Sequence, residues 1–599
     1  DESIQDVAVS VAAITRELGQ AQVRRLEDLQ TFSPSTYIRR YPGAGSAAFI
    51  NIRGVGTTDY DKSLDPPIGV IMDGLFLGAA SGVLMQNFDI ERIEILRGPQ
   101  GTLFGKNTTG GLINITRGAV TMEWGGDFSV AVDEHGREDV KGVVNVPLID
   151  DKLGVKLFGA QIKSDGWMYN TTLNQDVGGD DIVTYGFAMK WQPSDNFDLK
   201  WHYEKMKDQS DQGVYVNTND ATDLTCVIYG QCFSNSTDNE TQNSSDGTNF
   251  SDNEYDTNIL TANWQLNDGL LLTYIGGFRD QDEQNMQDFD GSSAPMLRMN
   301  FFNEWEQTSH ELRLSSTSDG PFQFIAGLYS FDVDYEQVWD VYDLFTTLGL
   351  APTYDHASSN GQSQETESVA AFFSMDYDFN DAWTLTVGGR YTKEEKALIG
   401  GNAGVVYLPG TDPRPALVDP QPYADEWSEF TPSASLKWHV NDDTMVWASY
   451  AEGFKSGGFF GRQADFNISP TFEPEFVTNY ELGLKKTMLD GRLTFNPTVF
   501  FSDYEDKQES ILIPVDLTNV ATVVRNASTQ EIFGVELEMS FKITEQWYVR
   551  GSYGYIDAEY DEYFADLNGD NIITDNSGLV PRNVPENTFG LSTTFTTDM

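Results

Sequence analysis

The chain has no run approaching the roughly 20 consecutive apolar residues that a membrane-spanning helix needs, and it carries only two cysteines and five histidines in 599 residues. The first absence excludes helical spanning. It leaves barrel strands open, because their alternating pattern averages to mild polarity. With the histidines scattered, and no nucleophile motif or paired-carboxylate spacing, nothing points to an enzyme. Positive charge is also short: 38 Lys and Arg stand against 92 Asp and Glu, a net charge of -54. Such a chain repels phosphate backbones, so nucleic acid is not expected as a partner.

The acid is unevenly spread. Asp1 to Gly118 holds 13 acidic and 11 basic residues, leaving a net -52 on the following 481. From about Gly126 one pattern repeats. Tyr185, Phe187, Met189 and Trp191 alternate with Thr184, Gly186, Ala188 and Lys190. After the turn "QPSDN", Phe197, Leu199, Trp201 and Tyr203 alternate with Asp198, Lys200, His202 and Glu204. Period two with one apolar and one polar face is a β-hairpin. The unit returns around "QLNDG", "STSDG", "DFNDA", "HVNDD", "MLDG" and "ITEQ", and long polar stretches such as Lys207 to Asp256 and Lys396 to Glu429 separate the hairpins.

About 18 strands are expected, short turns alternating with long loops. A soluble sandwich or propeller would alternate too. Two features argue against it: Trp191, Trp264, Trp383, Trp438 and Trp547 flank short turns as an interfacial girdle would, and polar loops of about 50 residues are rare in sandwiches. The reading is an all-β transmembrane barrel, residues 119–599, preceded by an α/β plug, residues 1–118, that fills its lumen. A plugged barrel closes with about 22 antiparallel strands, so further C-terminal hairpins are expected beyond Met599.

The stretch "IERIEILRGPQGTLFGKNTTGGLINI", Ile90 to Ile115, reads as strand, glycine-rich loop, strand. It lacks the Gly-Lys-Ser/Thr ending of a phosphate loop. In a plug its glycines permit tight turns and close backbone approach, Pro99 stiffens the turn, and Arg97 offers a planar donor fork to a carboxylate on the barrel wall. Arg53 and Arg97 are the expected plug-retaining residues. Glu481, Glu536 and Glu538 are their expected partners, placed in the lumen by alternation with Tyr480, Leu482, Val535 and Leu537.

At this point the residues carry a resemblance. "FSPSTYIRRYPGAGSAAFINIRGVG", "PPIGVIMDG" and the glycine-rich stretch, followed by "SHELRLSS", "LTVGGRYTKEEK", "YAEGFKSGGF", "FEPEFVTNYELGLK" and "GVELEMS", resemble successive segments of the TonB-dependent outer-membrane receptors. The resemblance covers nearly the whole chain. It implies import across the outer membrane of a Gram-negative bacterium, with the TonB-ExbB-ExbD complex of the inner membrane pulling on the plug. An iron-siderophore is the leading ligand; cobalamin, oligosaccharides and aromatic compounds are the alternatives. It further implies a TonB box before Asp1, a monomeric receptor, contact with outer-membrane lipid and lipopolysaccharide, and no required cofactor. A passive porin needs no plug, and a surface adhesion protein needs no energy.

Position in the family's plug makes Arg39, Arg40, Tyr41, Asp59, Tyr60 and Phe76 candidates for the extracellular vestibule, where Arg and Tyr suit an anionic or catecholate-like ligand. The alternative is that the arginines balance acidic loops. Cys226 and Cys232, with five residues between them in "CVIYGQC", suit a small loop disulfide, with two free thiols the other reading. Asp566, Asn568 and Asp570 have the one-three-five spacing of a calcium loop, but Asn571 and Ser577 occupy its glycine and glutamate positions. A Ca2+ site and a solvated acidic turn both remain open there.

Overall fold

A computed structural model describes the chain from Ser3 to Thr597, apart from 16–22, 24, 42–43, 57–58, 60, 84–87, 134–135, 218–240, 248, 294, 296, 319, 343–356, 408–417, 463–469, 515–519 and 568–571. No helix among the described residues is long and apolar enough to cross a membrane. Sheet order runs around a barrel of nineteen strands among the described residues. One of these, Thr574–Asp575, is a two-residue strand in a loop, so eighteen long strands make the wall. They range from Gly125–Val132 to the 25-residue Trp383–Tyr407.

The wall is inside-out relative to a soluble protein, as period two demands when lipid lies outside and polar groups line the lumen. Tyr480 and Leu482 are 51% and 59% exposed on the outer face, while Glu481 between them is buried. Tyr185 and Trp191 also face outward. Near the short turns Trp383 stacks on its cross-strand partner Trp438, with ring centroids 5.4 Å apart, as an interfacial girdle requires. Residue-by-residue pairing joins every neighbouring pair of long wall strands except Gly125–Val132 and Asn587–Phe595, which sheet order alone makes neighbours. Phe128 and Val132 stay 71% and 74% exposed there. With no residue pairing between them among the described residues, this junction is the weak seam of the wall.

Inside the wall, the plug is built on a five-stranded sheet in the order Val11–Ile14, Ile90–Arg97, Gly111–Arg117, Ile68–Met72, Leu75–Phe76. Among the described residues its one parallel pair is Ile68–Met72 with Gly111–Arg117. Ile14, Met72, Leu75, Ile93, Ile95 and Ile113 are fully buried in its core. A separate antiparallel sheet, Thr36–Tyr41, Ala44–Ile52 and Val55–Gly56, stands beside it. Described helix in the plug is confined to the 3-10 segment Leu26–Thr31 and the single turn Gly101–Phe104 inside the glycine-rich loop.

Candidate functional site

Two arginines carried on tight plug turns meet three glutamates of the wall. The hairpin from Ile52 to Val55 turns through Arg53 (φ 53) and Gly54 (φ 83), a left-handed pair that a non-glycine residue adopts only at a cost. Its return is ionic. Arg53 donates through Nη1 to Glu481 at 2.7 Å, and through Nε and Nη2 to the two oxygens of Glu536 at 3.0 and 2.8 Å. Arg97, at the end of its strand, donates to Glu536 at 3.0 Å, to Glu538 at 2.7 Å and to the Ser33 hydroxyl at 3.2 Å. The Arg53 guanidinium also lies 4.0 Å above the Phe500 ring.

Gly98 (φ +80) makes this approach possible, because a Cβ there would lie 2.7 Å from Glu481 and 2.9 Å from Arg53 Nη1. Burial alone would lower the proton affinity of Arg53 and Arg97. The glutamates outweigh it and raise both. Thus Arg53 and Arg97 sit within ion-pair distance of all three glutamates that alternation places in the lumen. Further plug-to-wall pairs went unread in the sequence: Arg117 with both oxygens of Glu204 at 2.7 and 2.6 Å, Lys62 with Glu283 at 2.9 Å, Lys396 with Asp65 at 2.7 Å, and Lys106 with Glu394. The available signal was period two, which already put Glu204 on the polar face.

At the long-loop end two cavities flank the tip of the hairpin Thr36–Ile52. One, about 500 Å³, is lined by Tyr37, Phe49, Asp59, Arg462, Lys507 and Tyr560 among others. Arg462 holds Asp59 directly and lies 3.6 Å from Asp61. The other, about 360 Å³, holds Arg25, Arg40, Tyr41, Arg137 and Trp167 around Asp180. Asp180 pairs with Arg25, with Arg137 at 2.9 Å and with Arg40 at 3.6 Å, and Arg40 also reaches Glu27 at 3.3 Å. Arg39 and Tyr41 both pack on Phe49, at 4.5 Å in each case. Burial, with Asp59 nearby, raises the Tyr41 phenol above its ordinary value and keeps it a hydrogen-bond donor.

Arg39, Arg40, Tyr41 and Asp59 therefore gather at the long-loop end. Phe76 does not join them, and its apical placement is corrected. The Asp73–Gly74 turn points the other way, since a Cβ on Gly74 would meet Ile275 at 2.9 Å, five residues from a short turn. Phe76 itself packs against Phe331 at mid-wall, 5.9 Å between centroids. The cause is the parallel pairing of Ile68–Met72 with Gly111–Arg117, which sends the chain down the sheet before it turns. Tyr60, Cys226, Cys232, Asn568 and Asp570 lie outside the described residues. Asp566 is buried, and among the described residues no group of three or more His, Cys, Asp or Glu is placed to hold a metal. Arg462, Lys507 and Tyr560 carry no sequence signal beyond residue type.

A plug pinned by buried ion pairs within a barrel, beneath a mouth of paired charges and aromatic rings, is the architecture of a plugged receptor. Comparison with known families agrees. Residues 190–598 match the TonB dependent receptor-like β-barrel and residues 3–112 the TonB-dependent receptor plug domain. The chain belongs to the TonB-dependent receptor family. Among its relatives are the pesticin receptor of Yersinia enterocolitica, 24% identical over 89% of this chain and 72% of that protein, and the ferripyoverdine receptor of Pseudomonas aeruginosa, 22% identical over 91% and 64%. In fold it is similar to the ferric yersiniabactin uptake receptor of Yersinia pestis, with TM-score 0.80 and 21% identity over 99% of this chain and 84% of that one. It is also similar to a siderophore receptor of Acinetobacter baumannii, with TM-score 0.78 and 16% identity over 99% and 85%.

Proposed function

We propose that the protein is an outer-membrane importer of an iron-siderophore, driven by the TonB-ExbB-ExbD complex and acting as a monomer in a Gram-negative bacterium. The observation that carries the reading is the arginine–glutamate lock. Arg53 and Arg97 are buried against Glu481, Glu536 and Glu538, so the lumen is blocked until work separates them. Relatives named as receptors of pesticin, ferripyoverdine and ferric aerobactin support the ligand class. The protein is not an enzyme in this reading, and no cofactor has a role.

Ligand enters from the long-loop side, which faces the exterior, and meets Arg40, Tyr41, Arg137, Arg462 and Tyr560. Guanidinium and phenol groups suit an anionic, oxygen-rich complex. The first described residues lie at the opposite, short-turn end. There the Lys485 ammonium donates to the carbonyls of Ile4, Val7 and Val9 at 2.6, 2.6 and 3.0 Å. A pull from that side loads the strand Val11–Ile14. The load then reaches Ile90–Arg97, to which that strand is paired, and so Arg97 itself.

The test is growth and import of labelled iron-siderophores by iron-starved cells with and without the gene. Loss of one siderophore's uptake on deletion, restored by the full-length gene, is the expected result. Unchanged uptake of every siderophore would sink the ligand class.

A further inference from the structure

A further cavity lies at the other end of the molecule. It encloses about 690 Å³ between plug and wall, from Leu103 and Phe104 of the glycine-rich loop to Lys190 and Lys200. Those two lysines face each other across a hairpin just above its short turn. A volume of this size suits a drug-sized molecule. In a chain of net charge -54, its lining carries five Lys and Arg against three Asp and Glu.

Two of the five cations are paired. Arg117 is held by Glu204, and Arg313 is bound to Glu311. Arg390 is different. It is 4% exposed and lines the cavity. Among the described residues its one side-chain hydrogen bond is from Nε to the Thr392 hydroxyl at 3.2 Å, and its guanidinium lies 5.2 Å from the rings of both Tyr329 and Phe372. Among the described residues no carboxylate lies within ion-pair distance of it; Glu311, which lines the same cavity and binds Arg313, acts on it only from beyond that distance. A guanidinium stays charged in any protein, and a buried charge without a close counter-ion is costly. The plug covers it closely: a Cβ on Gly105 (φ +92) would stand 3.0 to 3.1 Å from three guanidinium atoms. A glycine there lets the loop lie directly over the cation.

We propose that Arg390, with Arg313 and the Tyr329 hydroxyl, forms a second anion-binding site inside the receptor, on the short-turn side of the plug. It takes a small molecule bearing a carboxylate on an aromatic or apolar body. The carboxylate meets the fork of Arg390, and the body lies against Ile71, Phe76 and Phe104, which line the same space. On the import reading, this is a resting point for solute that has passed the lock, and that use alone rests on that reading.

The test uses the purified intact receptor in detergent and 4-iodobenzoate as probe, with the iodine located by anomalous scattering and affinity measured by titration. An iodine peak in this cavity is expected, with affinity falling at least about tenfold in Arg390→Gln and partly recovering in Arg390→Lys. Arg313→Gln should weaken binding less, and melting temperatures of all variants report whether each is folded. A peak confined to the long-loop cavities, or equal affinity in a folded Arg390→Gln protein, would overturn the site. Uptake sensitivity to a protonophore is read separately in cells, so failure of the import reading is distinguishable from failure here.

Discussion

Glu536→Gln is the sharpest perturbation of the lock, because it removes one charge while nearly preserving shape. Glu536 accepts three donations, two from Arg53 at 3.0 and 2.8 Å and one from Arg97 at 3.0 Å. All three side chains are 1–2% exposed. Removing one partner of a buried ionic cluster costs about 3–5 kcal/mol. The low end applies, since Arg53 keeps Glu481 and Arg97 keeps Glu538. About 3 kcal/mol raises the undocked plug population roughly 150-fold. Amide exchange on the purified receptor reads this directly, in the strands Ile90–Arg97 and Gly111–Arg117. Those amides should exchange faster by about that factor if they open by plug release, while wall amides keep their rates. Exchange within threefold of the parent protein would refute the argument that these pairs hold the plug.

Reversing Arg97 to glutamate places a fourth acid beside Glu536 and Glu538, and passive leak of a large antibiotic should rise; unchanged leak would count against retention by this residue. Gly98→Ala forces a Cβ to 2.7 Å from Glu481 at a φ of +80, so urea should release the plug with about 1–3 kcal/mol less stability. The Asp65 carboxyl is opposed by burial, yet Lys396 and Lys106 bring it down to about 2. Its contribution is present above the ordinary carboxylate value near 4 and is lost as pH falls through about 2; plug protection factors, exchange rates taken relative to the intrinsic rate at each pH, should therefore hold steady down to about pH 4 and fall below it, and Asp65→Asn should flatten that fall. Arg40→Ala and Arg462→Ala should each weaken surface binding of the ligand about tenfold without raising leak, as measured by titration and antibiotic sensitivity in parallel.

The fold was readable because its determinants are local. Period two in "YELGLK" fixes which face each residue takes, so Tyr480 and Leu482 go to lipid and Glu481 to the lumen, whatever the neighbouring strand does. The lock followed from the same alternation, since glutamates inside a plugged lumen need counter-ions, and Arg53 and Arg97 each precede a glycine that makes a tight turn. Phe76 failed for the opposite reason. Its height depends on which way Ile68–Met72 runs, and that is set by pairing with a strand some forty residues later in the chain. Arg390 was equally hidden: "GGRYTK" shows one polar-face arginine among many, and only the packing of Gly105 over it reveals a buried cation with no carboxylate in ion-pair distance among the described residues. The ligand-facing residues depend on loops whose course no spacing dictates.

On the import reading, solute passes only when the plug moves against the wall. Thr102, in the helical turn of the glycine-rich loop, donates to Ser433 of the wall at 2.9 Å, close enough for a Thr102→Cys, Ser433→Cys pair to form a disulfide. Uptake of the labelled ligand by cells carrying this double variant, oxidised and then reduced, is the measurement that bears most directly on it. Ligand binding should be normal and import absent while the bond is intact, with import returning on reduction. Import at the parent rate through the oxidised receptor would contradict that reading.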